Sequence, residues 1–246
     1  MTDAVAVRTA IIRQQAHSLR KFVLRWPQIS IERRLNVASA YIWSKGLFQA
    51  GTWPDLPCNI YKLVHHAILS VFRAVSGIDG HFANLFTDDD IVYKLGVMCP
   101  QTMLRCLRMS LLSRFLGKGN VLLAKIVLNS SRAPGTWANT IVNDLKWLCQ
   151  STVFSSYYGC DLEQWFEVIY RNSVGFSKAM MKFCRLPYAN ICCQWAIGRG
   201  LQSLSEEYAC PLCDWASRLS LGTTSNLMGS SALSDYTLIL RSVLFA

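Results

Sequence analysis

Apolar residues recur every three or four positions along most of this chain, and no segment shows the alternation that is typical of strands. Residues 101–116 show the pattern most clearly, with Leu104, Leu107, Leu111 and Phe115 along one seam of a predicted helix. A chain with this spacing buries helical faces against one another rather than sheets. The sequence therefore predicts an all-α fold, an irregular multi-helix domain.

Proline, glycine and capping residues divide this pattern into separate predicted helices. A basic amphipathic helix over residues 4–25 ends before Pro27, and a second helix covers 31–48. Thr87 precedes three acidic residues, as is typical of a helix N-terminus. The other predicted helices cover 59–75, a short segment ending near Gly96, 101–116, 120–129, 137–148, 161–184 with a break or kink near Gly175, and 188–204.

Positive charge is unevenly distributed along the chain. Lys and Arg number 25 against 15 Asp and Glu, for a net charge of +10, and residues 91–143 contain no acid. Such a balance favours polyanionic partners, either nucleic acid or an anionic membrane surface. The alternative is that these cations only solvate helix faces. The residues that we expect to contact phosphate are Arg105, Arg108, Arg114 and Lys118, with Arg13, Arg20 and Arg25 as a second patch.

The ten cysteines favour buried thiols over a disulfide scaffold. Asp3 and Arg8 interrupt any apolar secretory signal, so we expect a reducing compartment, the nucleus or the cytoplasm. Cys210 and Cys213 have the spacing of a zinc knuckle, but a structural zinc site needs four ligands and no histidine follows His81. A truncated zinc finger, a redox pair and chance all stay open. We expect no cofactor, with zinc conceivable only through this incomplete pair.

The composition is more apolar than a single domain requires. Hydrophobic residues make up 52% of the chain and charged residues 16%. We therefore expect either a large core or apolar surface that a protein partner covers, as in a fragment of a larger protein. No uncharged apolar run reaches the roughly 18 residues of a membrane span, so we expect no membrane partner. Residues 216–235 lose the helical period, and we expect a poorly ordered C-terminal tail.

Four segments together resemble the region that follows the palm in reverse transcriptases of non-LTR retrotransposons. Their order along the chain and their spacing carry the resemblance, because each motif alone has little specificity. The segments are 41–53, a helix followed by a glycine and a tryptophan; 63–77, a helix that ends at a glycine; 104–117, with the pattern R-x-x-R-x-x-x-L-x-R-x-x-G; and 137–148, a tryptophan followed by D-L-x-W-L.

The resemblance covers roughly residues 30–213 and implies a thumb-like helical region that helps to hold an RNA template or an RNA–DNA hybrid. Fingers and palm are absent, so we expect no polymerase activity. Phe86 to Asp89 matches the metal-binding turn of a palm only superficially, because no strands flank it. Cys210 and Cys213 fall where the family often carries a zinc finger, although the finger's histidines are missing here.

These observations predict three regions and one principal function. Residues 1–30 form the basic amphipathic helix, 31–209 the helical domain, and 210–246 a truncated zinc-finger start with a disordered tail. The predicted function is non-catalytic nucleic-acid binding by a retroelement fragment. The alternative is a helical protein–protein interaction module that does not bind nucleic acid.

Overall fold

The structure is a computed structural model that describes residues 2–78, 86–119, 121–149, 151 and 153–185. Every regular element within these ranges is helical, which confirms the predicted all-α fold. The predicted helix over 188–204, the pair Cys210 and Cys213, and the expected disordered tail lie outside the described residues.

The α-helices are numbered in chain order. They are α1 (Thr2–Leu19), α2 (Ile31–Ala38), α3 (Ser44–Gly46), α4 (Cys58–Ser76), α5 (Asp88–Leu95), α6 (Pro100–Gly117), α7 (Val121–Ser130), α8 (Trp137–Leu148), α9 (Leu162–Arg171) and α10 (Ser173–Cys184). Two π-helical segments, Arg20–Leu24 and Ser39–Trp43, extend α1 and join α2 to α3. Short 3-10 turns cover Ala50–Thr52 and Ser155–Tyr157.

Capping residues mark the start of α5 and the ends of α4 and α5 at the positions that the sequence predicts. At the start of α5, the Asp90 N–H donates to the Thr87 hydroxyl at 3.2 Å, and the Thr87 N–H donates to the Asp90 carboxylate at 2.7 Å. This capping box confirms that the acidic run is a helix N-terminus. Gly77 and Gly96 end α4 and α5 with φ values of 73° and 62°, in the left-handed region that glycine adopts without strain.

Two predicted helices differ from the structure in detail. The helix predicted over 31–48 contains the π-helical insertion and ends at Gly46. The helix predicted over 161–184 breaks at Asn172 and not near Gly175. The Asn172 side-chain oxygen accepts the Gly175 N–H at 2.8 Å, so Asn172 caps α10 and Gly175 lies in its first turn.

The first hydrophobic core lies between α1, α2, α4 and α5. Helix α1 buries Val5, Ile12 and Ala16 against it, so the N-terminal basic helix packs into the main body of the protein. Gly46 allows α3 to approach α1 closely, because an added Cβ would overlap the Ile12 side chain. The exposed side of α1 carries most of its charge.

Buried Arg34 ties α2 to the ends of two neighbouring helices. Its guanidinium donates to the carbonyl oxygens of Leu24 at 3.4 Å, Ile29 at 2.8 Å and Val75 at 2.9 Å. Carbonyl groups near helix ends lack intrahelical partners, and a cation there also offsets the partial negative charge of the helix end. Arg34 is therefore a structural arginine.

The second core lies between α6, α8, α9 and α10. Helices α6 and α10 run antiparallel, since Ser113 contacts Ser173 while Cys106 contacts Met181. Helix α6 also contributes Leu104 to the first core, so it is buried on several sides. It is the element on which both halves of the described protein pack.

Candidate nucleic-acid interface

Asp144 neutralises part of the basic stretch that precedes it. This residue lies on α8, is only 2% exposed and is the first acid after residues 91–143. Arg108 of α6 donates to its two carboxylate oxygens, from Nε at 2.6 Å and from a terminal nitrogen at 2.9 Å. Arg105 Nε lies 3.4 Å from the same carboxylate. A two-point contact between guanidinium and carboxylate is the strongest form of this interaction.

The sequence predicted that Arg108 contacts phosphate, and the structure places it where a phosphate cannot reach it. It is 4% exposed, and its Nε atom and one terminal nitrogen both donate to Asp144, so its guanidinium is closed to an external phosphate. The physical reason is the helix contact itself: α8 places a carboxylate directly against this position of α6. We therefore remove Arg108 from the candidate contacts.

Arg105 occupies an intermediate position between core and surface. Its guanidinium carbon lies 4.7 Å from the centre of the Trp147 ring, and 23% of its side chain is exposed. Burial lowers the pKa of Arg105, although the charge of Asp144 acts in the opposite direction. Burial raises the pKa of Asp144, although its hydrogen bond with Arg108 acts in the opposite direction. Desolvation is therefore a large cost at this cluster. An arginine remains charged at neutral pH despite such a shift.

Residues of the resemblance segments meet at one junction between the two cores. The Trp137 indole N–H donates to the Gly51 carbonyl oxygen at 2.6 Å. An added Cβ at Gly51 would lie 2.8 Å from the Leu107 carbonyl oxygen, so only glycine permits this approach. The Asp55 N–H donates to the Thr140 hydroxyl at 2.8 Å. Together with the Arg108–Asp144 pair, these contacts make three of the four segments one packed unit.

The glycine that ends the arginine motif serves packing between α6 and α10. A Cβ at Gly117 would lie 2.6 Å from the Ser173 Oγ atom. One turn earlier, the Ser113 hydroxyl donates to the Ser173 carbonyl oxygen at 3.0 Å and lies 2.9 Å from the Ser177 hydroxyl. Small residues on both helices therefore allow their backbones to come close.

Arg114 and Lys118 lie exposed one turn apart at the C-terminal end of α6. Neither of them forms an ion pair with any residue in the described part of the chain. Cations near the C-terminal end of a helix also interact with its partial negative charge, which is a structural reason for their position. Their side chains nevertheless remain open to an external anion.

The N-terminal residues of the predicted set form a separate group. Arg13 and Arg20 are exposed and Arg25 is half-buried, all on the segment that packs on the first core. The seven predicted residues therefore do not form one surface. They divide into this N-terminal group, the pair Arg105 and Arg108 at Asp144, and the pair Arg114 and Lys118 on the second core.

Two further cations on α10 were not predicted from the sequence. Lys178 and Lys182 are exposed one turn apart on the helix that runs antiparallel to α6. Their spacing of four residues was the available signal, because it places both on one side of a helix. We refer to Arg114, Lys118, Lys178 and Lys182 as the α6–α10 cations.

The histidines of α4 form an aromatic row with Tyr61 rather than a metal site. Ring centres are 5.6 Å apart for Tyr61 and His65, and 5.8 Å apart for His65 and His66. Burial lowers the pKa of His65, with Asp88 acting in the opposite direction. In the described ranges no group of three or more His, Cys, Asp or Glu residues is placed to hold a metal ion.

Comparison of the chain with protein families, curated proteins and solved structures found no match. Among the described helices, none combines the length and apolar character that crossing a membrane requires.

Proposed function

We propose that this chain is a non-catalytic, nucleic-acid-binding helical part of a retroelement reverse transcriptase, which acts in the nucleus or cytoplasm. Its ligand is RNA or an RNA–DNA hybrid, bound through the phosphate backbone. The observation that carries the proposal is the exposure of Arg114 and Lys118, which have no acidic partner among the described residues. An exposed cation pair of this kind gains most from a ligand with regularly spaced negative charge.

The neighbouring helix adds to this site. Lys178 and Lys182 are exposed on α10, which packs along α6. We propose that a strand of phosphates running along this helix pair contacts cations of both helices. Each phosphate that is neutralised releases counterions. It makes the slope of log affinity against log salt concentration, the salt slope, steeper by roughly 0.7–0.9. If all four α6–α10 cations contact phosphate, the slope is about −3 to −4.

The internal junction lends support to the family part of the proposal. Gly51 contacts Trp137 and approaches Leu107, and Arg108 pairs with Asp144; all of these residues belong to segments that carry the resemblance. Residues that recur in a family for packing reasons are expected to lie in such contacts. Arg114 belongs to the same arginine motif but is exposed, which is expected of a residue that serves binding.

The test is binding of the full chain to a labelled RNA–DNA hybrid hairpin, measured by fluorescence anisotropy at several salt concentrations. Replacement of Arg114 and Lys118 by alanine should weaken binding and reduce the salt slope by about 1.5. The matched control is the double replacement of Arg33 and Lys62, which removes the same charge from exposed positions of α2 and α4.

The control separates local contacts from general attraction. If both double variants weaken binding equally, only net charge matters and the α6–α10 cations form no site. Absence of binding at low salt would leave the exposed cations as a solvated surface. Circular dichroism of each variant checks that the helices remain folded.

The second candidate function is a protein–protein interaction through α7. Val121, Leu122 and Ile126 are 65%, 72% and 55% exposed, and Val127 is the one buried residue of this helix. The simplest partner is a second copy of the chain. Self-association through α7 would give a dimer in sedimentation at high salt, which Leu122→Glu would convert to a monomer. A protein that is monomeric at all salt concentrations would exclude this self-association.

A further inference from the structure

Exposed aromatic rings and basic side chains lie together where α1 meets the segment 41–48. Tyr41 is 55% exposed and Phe48 is 48% exposed, although large aromatic side chains gain most from burial. Lys45, four residues after Tyr41, is exposed as well. We call Arg8, Tyr41, Lys45 and Phe48 the aromatic patch.

Arg8 of α1 connects two members of this patch. A terminal nitrogen of its guanidinium donates to the Lys45 carbonyl oxygen at 3.1 Å. Its guanidinium carbon lies 5.1 Å from the centre of the Phe48 ring, within the range of a cation–π contact. The cation and the exposed ring are therefore already together in the free protein.

The first core fixes the segment that carries the exposed rings. Ile42, Trp43 and Leu47 are at most 6% exposed and pack in that core. The Leu47 N–H donates to the Trp43 carbonyl oxygen at 2.9 Å, and the Ala50 N–H donates to the Leu47 carbonyl oxygen at 2.9 Å. In the same turn Gln49 has a φ of 62°, in the left-handed region that residues other than glycine rarely adopt. Strained backbone of this kind is concentrated at binding sites.

The two cations of the patch have no acidic neighbour in the surrounding sequence. Residues 4–31 and 33–54, which include the whole patch, contain no Asp or Glu. Within the described ranges, neither Arg8 nor Lys45 forms an ion pair. The patch thus combines exposed aromatic rings with positive charge that is not neutralised. Its complement is a ligand with flat rings and negative charge.

We propose that the aromatic patch binds unpaired nucleotides of a single-stranded RNA. Bases stack on the rings of Phe48 and Tyr41, and phosphates lie beside Arg8 and Lys45. The proposal rests on the proposed function, nucleic-acid binding, and adds to it a second surface with a different preference. Exposed rings that stack on bases, together with cations that follow the backbone, are typical of proteins that bind single strands. The bases of a duplex are stacked on one another, so the patch should prefer an unpaired strand to a hybrid duplex.

The experiment compares two labelled probes bound by the full chain, the hybrid hairpin and an unstructured single-stranded RNA of about twelve nucleotides. Binding is measured by fluorescence anisotropy at several salt concentrations. Phe48→Leu should weaken binding of the single strand about fivefold or more, the loss of one stacking contact, and should change hairpin binding by less than about twofold. Because this substitution removes no charge, the salt slope should stay the same.

Further variants separate the contributions within the patch. Tyr41→Leu is an independent test of stacking and should also weaken binding of the single strand, whereas Phe48→Tyr retains a ring and should preserve it. Lys45→Ala should reduce the salt slope of the single strand by about 0.7. The matched control is Tyr158→Ala, which removes a ring that is 82% exposed in the loop before α9 and should alter neither probe. Circular dichroism checks that each variant is folded.

The two probes distinguish a failure of this inference from a failure of the proposed function. If the hairpin binds but Phe48→Leu and Tyr41→Leu leave single-strand binding unchanged, stacking at the patch is refuted and the α6–α10 cations are unaffected. An equal loss with Tyr158→Ala would refute it too. If the single strand shows the expected losses while replacement of Arg114 and Lys118 leaves hairpin binding unchanged, the patch is supported and the α6–α10 site fails. A chain that binds neither probe would refute both and leave the patch to a protein partner.

Discussion

Replacing one partner of the Arg108–Asp144 pair should destabilise the protein far more than replacing both. Arg108→Met keeps the aliphatic stem but leaves a carboxylate that is 2% exposed, with Arg105 at 3.4 Å as its remaining cation. Breaking a buried pair in this way costs about 3–5 kcal/mol. Because Arg105 still neutralises part of the charge, we expect about 3 kcal/mol.

The double variant removes the charges together. Arg108→Met with Asp144→Leu leaves no buried carboxylate, and Arg105 is free to turn toward solvent because 23% of its side chain is already exposed. Replacement of a buried pair by apolar residues of similar volume is often neutral. We expect the double variant to lie within about 1.5 kcal/mol of the natural sequence, the cost of imperfect packing.

The measurement is urea unfolding followed by circular dichroism, with all variants fitted for midpoint and slope. If the slopes are equal, differences between the midpoints report differences in the free energy of unfolding. Arg114→Met is the control, since this arginine is exposed on the same helix and should change stability by less than about 0.5 kcal/mol.

Two results would refute this reasoning. One is a loss for Arg108→Met as small as that for Arg114→Met. The other is a double variant whose loss equals the sum of the losses for Arg108→Met and Asp144→Leu alone, which would mean that the two residues do not interact. Either result would mean that the Arg108–Asp144 pair does not stabilise the fold as argued.

Three further predictions concern local features of the fold. Gly51→Ala should cost about 1–3 kcal/mol in urea unfolding, because the added methyl group meets the Leu107 backbone and not a movable side chain. Thr87→Ala should cost about 1 kcal/mol by the loss of the capping box, and restoration by Thr87→Ser would confirm the cause. Burial lowers the pKa of His65, so the unfolded chain binds a proton at a higher pH than the folded one. Stability should therefore fall as pH drops below about 6.5, and His65→Gln but not His66→Gln should remove this dependence.

The helix boundaries were predictable because their signals are local. Thr87 and Asp90 specify the start of α5 within four residues, and Gly96 ends that helix with a positive φ. The break between α9 and α10 was predicted near Gly175 because glycine is a poor helix former. The break lies instead at Asn172, whose side chain accepts the Gly175 N–H and caps the next helix. Glycine is tolerated in the first turn of that helix.

The burial of Arg108 was not predictable from the charge of residues 91–143. The pair depends on a carboxylate 36 residues away on α8, and the meeting of α6 with α8 is decided by tertiary packing. An acid-free stretch indicates that no acid lies nearby in sequence. It does not indicate that none lies nearby in space.

Helical geometry nevertheless divides the arginine motif into two parts, and this signal was available. At about 100° per residue, Arg105, Arg108 and Leu112 fall within an arc of about 60°, whereas Arg114 lies about 180° from Arg105. Lys118 is about 40° from Arg114, on the same side. The structure follows this division, since Arg108 is buried and Arg114 is exposed. The spacing of the motif thus separates Arg105 and Arg108, which lie against Asp144, from Arg114, which is exposed.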